Sequence, residues 1–282
     1  MSEKQKTISR EANFSGKALQ TGRAVNVVCK PSGPDSGIIF KRMDLDGQPS
    51  IRVGGQMLSE GPSRRSTIGL GEAEIQTVEH FLAALWGVGV DNVLVEIDGE
   101  ELPAFDGSAL TFLKGLKEAG SEDQPAERRT IKVLEPQRVE EGGSSLAVFP
   151  DGGFSIDYLI DYDVASIGRE NFHIELNSES FEREIAPART FCLRKEAEAL
   201  LRAGLGQGAN LDNTLVMDEE GPIGTTLRFP DEPVRHKVLD LVGDLYMLGR
   251  PVAGRFVAEK SGHAVNARMV RIIYEKYIVG RS

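Results

Sequence analysis

Cysteine is nearly absent from this sequence: Cys29 and Cys192 are the two among 282 residues. That excludes a disulfide framework and points to reduced thiols and a cytoplasmic location. Long apolar runs are missing too. The longest nearly continuous one, Phe81 to Val90, falls short of the roughly 20 residues needed to span a bilayer. The N-terminal MSEKQKTISREANFSG lacks the apolar core of a secretory signal. Positive charge is in deficit. Lysine and arginine number 33 against 43 aspartates and glutamates, a formal charge of −10, which argues against nucleic acid or an anionic membrane as partner. Familiar site signatures are also missing. No G-x-x-x-x-G-K-[ST] phosphate loop occurs, and the alternating glycines 204, 206 and 208 follow a helical pattern, as a cap and loop would. H-E-x-x-H is absent, and its inverted form would need histidine where Gln76 stands.

What remains is ordinary globular composition, 40% hydrophobic and 27% charged, long enough for about two domains. The polar stretch from Gly120 to Arg129, with Pro125 inside it, reads as a linker. It implies domains over 1–126 and 127–282. Alternation and turn residues predict strands at Thr7–Ser9, Val25–Cys29, Ile38–Arg42, Ile51–Val53 and Asn92–Ile97 in the first half. In the second half they predict strands at Thr130–Val133, Ser145–Phe149, Phe154–Ile160, Asn171–Leu176 and Thr214–Met217. Helical spacing and stop signals predict helices at Thr77–Gly87, Ser108–Ala119, Lys195–Ala203 and Pro233–Leu248. The pentapeptide Asp91-Asn92-Val93-Leu94-Val95 is echoed by Asp212-Asn213-Thr214-Leu215-Val216. Together with the matching order of elements, the echo suggests a duplication: two similar α+β domains, each a small sheet with a helical layer.

Histidine is scarce, with four in the chain, His80, His173, His236 and His263. On the helix starting near Thr77 the apolar stripe runs through Val78, Leu82 and Leu85. Glu79 and His80 lie about 100° and 200° from Val78, so both leave that face. Alone, they read as a solvated helix start. His236 and Asp240 are four apart on one helix face, with Asp244 a turn further. Alone, they read as an exposed surface pair. His263 follows Gly262 in a loop-like segment, and His173 alternates with apolar neighbours and should face outward. Taken together, His80, His236 and Asp240 make a three-ligand set with an open fourth position, as catalytic zinc sites have. Glu79 is then placed as a base and His263 as an acid, in a cleft between the domains.

Several blocks in order, TVEHFLAAL, DNVLVEIDGEELPAFDGSA, PARTFC, GANLDNTLV, LRFPDEPVRHKVLDLVGDLYMLG and SGHAVNARM, resemble the UDP-3-O-acyl-N-acetylglucosamine deacetylases. These are zinc amidases of lipid A synthesis, and the resemblance runs from about Ser9 to the end. It implies two α+β domains with their helices sandwiched between the two sheets. It implies Zn²⁺, with Fe²⁺ also suited to the same donors, held by His80, His236 and Asp240. It makes Glu79 the general base, His263 the acid, Asp244 its orienting partner and Thr190 an oxyanion donor. Lys237 would lie near the substrate's phosphates and Phe191 would line the site. The implied substrate is a small acylated UDP-amino sugar, handled by a monomer. Two other readings stay open: an amidase of a different acyl sugar, and a binding protein that keeps the fold without catalysis. The sequence departs from the family pattern at Gln20, where a loop histidine is usual, and at Cys192, where glycine is usual.

Overall fold

The computed structural model describes residues 3–55, 65–69 and 71–281. The first half comprises β1 (Lys4–Ile8), β2 (Ala12–Lys17), β3 (Ala24–Pro31), β4 (Ile38–Arg42) and β5 (Ser50–Arg52). After these come β6 (Thr67–Ile68), β7 (Ile75–Gln76), α1 (Glu79–Val88), β8 (Val93–Ile97), α2 (Leu110–Ala119) and β9 (Ser121–Glu127). The second half runs β10 (Ile131–Lys132), β11 (Gln137–Glu141), β12 (Ser144–Phe149), β13 (Phe154–Asp161) and β14 (Arg169–Glu175). It continues through α3 (Ser178–Ser180), β15 (Phe191–Leu193), α4 (Arg194–Arg202), β16 (Leu215–Asp218) and β17 (Gly221–Pro222). It ends with α5 (Glu232–Tyr246), β18 (Val252–Glu259) and α6 (His263–Tyr277).

The duplication is visible in the sheets. One has strand order β2-β3-β8-β4-β5 and the other β11-β12-β18-β13-β14. In each, the central strand, β8 or β18, is antiparallel to one neighbour and parallel to the other. In each, a helix precedes that strand (α1 or α5) and another follows it (α2 or α6). The counterpart of β8 is therefore β18, not β16, which belongs to a separate three-stranded sheet. The echoed pentapeptides do not occupy equivalent places. What they share is local: Asn92 Oδ1 accepts the Gly37 amide at 2.7 Å, and Asn213 Oδ1 accepts the Asn210 amide at 2.9 Å. Each asparagine fixes a loop just before a strand.

Strict alternation puts one face of each sheet inward, as at Ile38, Phe40 and Val93, Val95, Ile97. The helices fill the space between. Phe81 of α1 meets Phe40 of the first sheet at 5.8 Å between ring centroids, and Phe112 of α2 meets Phe14 at 5.2 Å. Helices α1 and α5 pack against each other. Both are buried on nearly every side. The single-stripe expectation for α1 therefore fails: a helix covered by a sheet on one side and helices on others has no solvent face, and Glu79 and His80 are buried.

The Gly120–Arg129 segment is not a slack linker. Ser121–Glu127 pairs antiparallel with β1, and its buried Gln124 accepts a hydrogen bond from Asn92 Nδ2 at 2.6 Å. Pro125 is tolerated because the sheet has two strands and an open edge. In the second repeat a long segment, 176–231, intervenes before the helix that leads into the central strand. No helix among the described residues is long and apolar enough to cross a membrane.

Candidate active site

The two inner helices bring the sequence-singled residues together. Glu79 and His80 open α1, while His236 and Asp240 occupy one face of α5. His80 and Asp240 each lie nine residues before the left-handed glycine that follows their helix, Gly89 or Gly249. The ligating atoms of His80, His236 and Asp240 fall within 4.8 Å of one another. His236 Nε2 is 3.2 Å and His80 Nε2 3.7 Å from Asp240 Oδ1, and the two imidazoles meet nearly at right angles, 5.0 Å apart. His236 Nδ1 faces the Ala188 carbonyl at 3.1 Å, which fixes the ring and leaves Nε2 for a ligand. Burial lowers the His80 pKa, keeping it in the neutral form that binds metal. Burial works against the Asp240 carboxylate, but Lys237 and His236 beside it outweigh that and hold its pKa well below the usual range. Two imidazole nitrogens and one ionised oxygen, all buried, fit a divalent cation with an open position.

Glu79 and His263 flank this group. Glu79 Oε2 accepts the Ser66 amide at 3.1 Å, so Oε1 is the free oxygen, 3.9 Å from His263 Nε2. Burial, aided by Asp244 and Asp240 against the opposing His263, pushes the Glu79 carboxyl up to about 7. His263 is the first residue of α6, not part of a loop. Burial and the positive end of a helix both disfavour its charged form. Asp244 wins: its Oδ2 accepts from Nδ1 at 2.8 Å, and the imidazole is raised to about 9. Asp244 is itself held by the Ser66 hydroxyl at 2.5 Å and by Asn266 Nδ2 at 2.8 Å. A buried carboxyl and a buried imidazole side by side, both raised from their usual values, suit the two halves of a proton-transfer reaction.

These side chains line a cavity of about 310 Å³ together with Thr190, Phe191, Lys237, Tyr162 and Arg65. Asp244 lies beneath its floor, fully buried. Lys237 donates to Asp240 Oδ2 at 2.8 Å and stands 5.7 Å from the Phe191 ring. The loop carrying Ala188 and Thr190 is anchored by Arg189, whose guanidinium and amide both bind the fully buried Glu232. A second cavity of about 260 Å³ shares Leu19, Gln20, Thr190 and Phe191 with the first. Its wall is mostly apolar, with Leu200, Leu201, Leu211 and Val216. Gln20 sits at the junction. Its amide N–H donates to Glu101 at 2.9 Å and its Oε1 accepts the Gly206 amide at 3.2 Å. Cys192 is a buried thiol on the apolar wall. His173 faces outward, bonded to Asp157. Sequence reasoning missed Ser66, Asn266 and the Ala188 carbonyl, since none has a spacing relation to the residues it supports.

A family model for UDP-3-O-acyl N-acetylglycosamine deacetylases matches residues 5–275. The UDP-3-O-acyl-N-acetylglucosamine deacetylase of Anaeromyxobacter sp. (strain Fw109-5) is 43% identical over 271 residues, covering 95% of this chain and 87% of that protein. The deacetylase of the same name from Thermodesulfovibrio yellowstonii is 39% identical over 271 residues, covering 96% and 92%. That from Nitratidesulfovibrio vulgaris is 40% identical over 272 residues, covering 96% and 88%. With residues 5–275 matched and three buried side chains that could hold a metal ion where its two repeats meet, the chain belongs to the metal-dependent UDP-3-O-acyl-N-acetylglycosamine deacetylase family.

Proposed function

We propose that the protein hydrolyses the N-acetyl amide of a UDP-3-O-acyl-N-acetylglucosamine, giving acetate and the free amine for lipid A synthesis. The observation that carries this reading is the meeting of His80, His236 and Asp240 within 4.8 Å, with a buried carboxylate and a buried imidazole on either side. In the proposal the ion is zinc, the protein acts as a cytoplasmic monomer, and the repeats over 1–126 and 127–282 are its two domains.

A bound divalent cation supplies Lewis acidity, polarising the acetyl carbonyl and lowering the pKa of water to about 7. The chain's own residues do the rest. Glu79, with Oε2 pinned by Ser66, takes the proton of the attacking water at Oε1. The Thr190 side chain, on the cavity wall, donates to the oxyanion. His263, kept charged by Asp244, gives its Nε2 proton to the leaving amine. Lys237 holds Asp240 while facing the phosphate side of the substrate, and the Phe191 ring stands nearly perpendicular to His236, with centroids 6.4 Å apart. The adjoining apolar cavity takes the start of the acyl chain, since burying each methylene there is favourable by about 0.8 kcal/mol.

The test is direct. Metal-loaded protein is incubated with the acylated UDP-sugar, and acetate and free amine are measured together. No amine release from protein carrying one ion per chain would sink the proposal.

A further inference from the structure

Five cationic or imidazole side chains line the polar cavity: Arg65, His80, His236, Lys237 and His263. Four already have tasks. His80 and His236 face the ligand centre, His263 is held by Asp244, and the Lys237 ammonium is on Asp240. Arg65 has none. Its Nε is buried and has no hydrogen-bond partner. Buried donors without an acceptor are rare in native proteins, and such an atom at a binding cavity marks the place of an acceptor that arrives with the ligand.

We propose that Arg65 is a substrate-binding residue that takes a phosphate oxygen of the UDP diphosphate. This deepens the deacetylase reading and rests on it. A guanidinium presents a planar fork of donors that matches phosphate oxygens, and it keeps its charge when partly desolvated. A protein of formal charge −10 repels a diphosphate at long range, so it needs a local cation to seat one. Position also matters. Arg65 directly precedes Ser66, whose amide holds the Glu79 carboxylate and whose hydroxyl holds Asp244. A phosphate docked on Arg65 is thereby placed in register with both the base and the partner of the acid.

The released acetate is a second oxyanion that a guanidinium could take, and the experiment separates the two. Metal-loaded wild type, Arg65→Gln and Arg65→Lys are compared on the UDP-bearing substrate and on the same acyl sugar without its nucleotide. UDP and acetate binding are measured by calorimetry, which needs no turnover. Loss of a charged hydrogen bond predicts that Arg65→Gln lowers the preference for the UDP-bearing substrate by about 10- to 100-fold. The loss should appear in KM, and UDP affinity should fall by the same factor. Arg65→Lys, which keeps the charge without the fork, should recover part of it. Equal losses on both substrates, or unaltered UDP binding, would overturn the proposal. So would weakened acetate binding with UDP binding intact. A wild-type protein that binds UDP but hydrolyses neither substrate would defeat the deacetylase reading, leaving the Arg65 comparison to the calorimetry.

Discussion

Gly243 of α5 lies against the backbone of Glu79 so closely that a β-carbon at 243 would sit 2.0 Å from the Glu79 carbonyl oxygen. The absence of a side chain there lets α5 approach the start of α1, and so sets how near His236 and Asp240 come to His80. Gly243→Ala therefore forces backbone apart, with no side chain free to yield. The expected cost is at least the 1–3 kcal/mol or so of overpacking, measured by urea unfolding, with weaker metal binding beside it. Gly152→Ala, with nothing within 4 Å, is the control and should leave the midpoint nearly unaltered.

The base and ligand roles proposed above predict different outcomes on mutation. Glu79→Gln should keep its metal, since Glu79 is outside the three-ligand group, and lose about 10²- to 10⁴-fold in kcat. His236→Ala and Asp240→Ala should lose the metal itself. Metal analysis after dialysis, run beside the activity assay, distinguishes these results. A Glu79→Gln protein with parental turnover would remove the carboxylate from the mechanism.

The pH profile of kcat/KM should be a bell. In the proposed mechanism Glu79 must be ionised to accept a proton, so activity rises with pH through its pKa, about 7 in the metal-free protein. His263 must be protonated to donate, so activity falls as pH passes its pKa, about 9. A bound cation adds positive charge and lowers both, so both limbs lie at or below these values. Asp244→Asn removes the charge that raises His263 and should move the alkaline limb to lower pH. An alkaline limb that survives His263→Gln would assign it to another group.

Arg189 and Glu232 form a buried pair, with 7% and 0% of their side chains exposed. Removing one partner strands the other's charge, so Glu232→Ala should cost about 3–5 kcal/mol in unfolding experiments. The segment that this pair anchors carries the Ala188 carbonyl against His236 Nδ1. Metal affinity should therefore drop by about 10- to 100-fold, the usual effect of losing a ligand's outer support. Loss of stability with unaltered metal affinity would show that the carbonyl stays in place without the pair.

Local signals in the sequence reached the strands and helices whose burial pattern is regular. Ile38–Arg42 alternates cleanly and forms a strand with those bounds. The spacing of His236 and Asp240 on one helix was legible because it depends on helix geometry alone. What local signals missed depends on tertiary surroundings. The mostly polar Ser121–Glu127 pairs as a strand because β1 offers an edge. β18 was missed where Gly254 interrupts its apolar run, a glycine whose β-carbon would sit 2.9 Å from Val148 Cγ2. α6 was missed although Val265, Met269 and Ile273 follow helical spacing, because the Gly262-His263 start resembles a loop. Two α+β halves were legible, but the pentapeptide and the element order offered for them both paired β8 with β16, whereas its counterpart is β18.

His80 comes from one repeat and His236 with Asp240 from the other, so an ion gripped by all three is also a rivet through the molecule. Its binding free energy becomes cohesion between halves, adding RT ln(1 + [ion]/Kd) to the resistance against unfolding. Heat tolerance would then track free metal supply, and chelation should soften the seam before it disturbs either sheet.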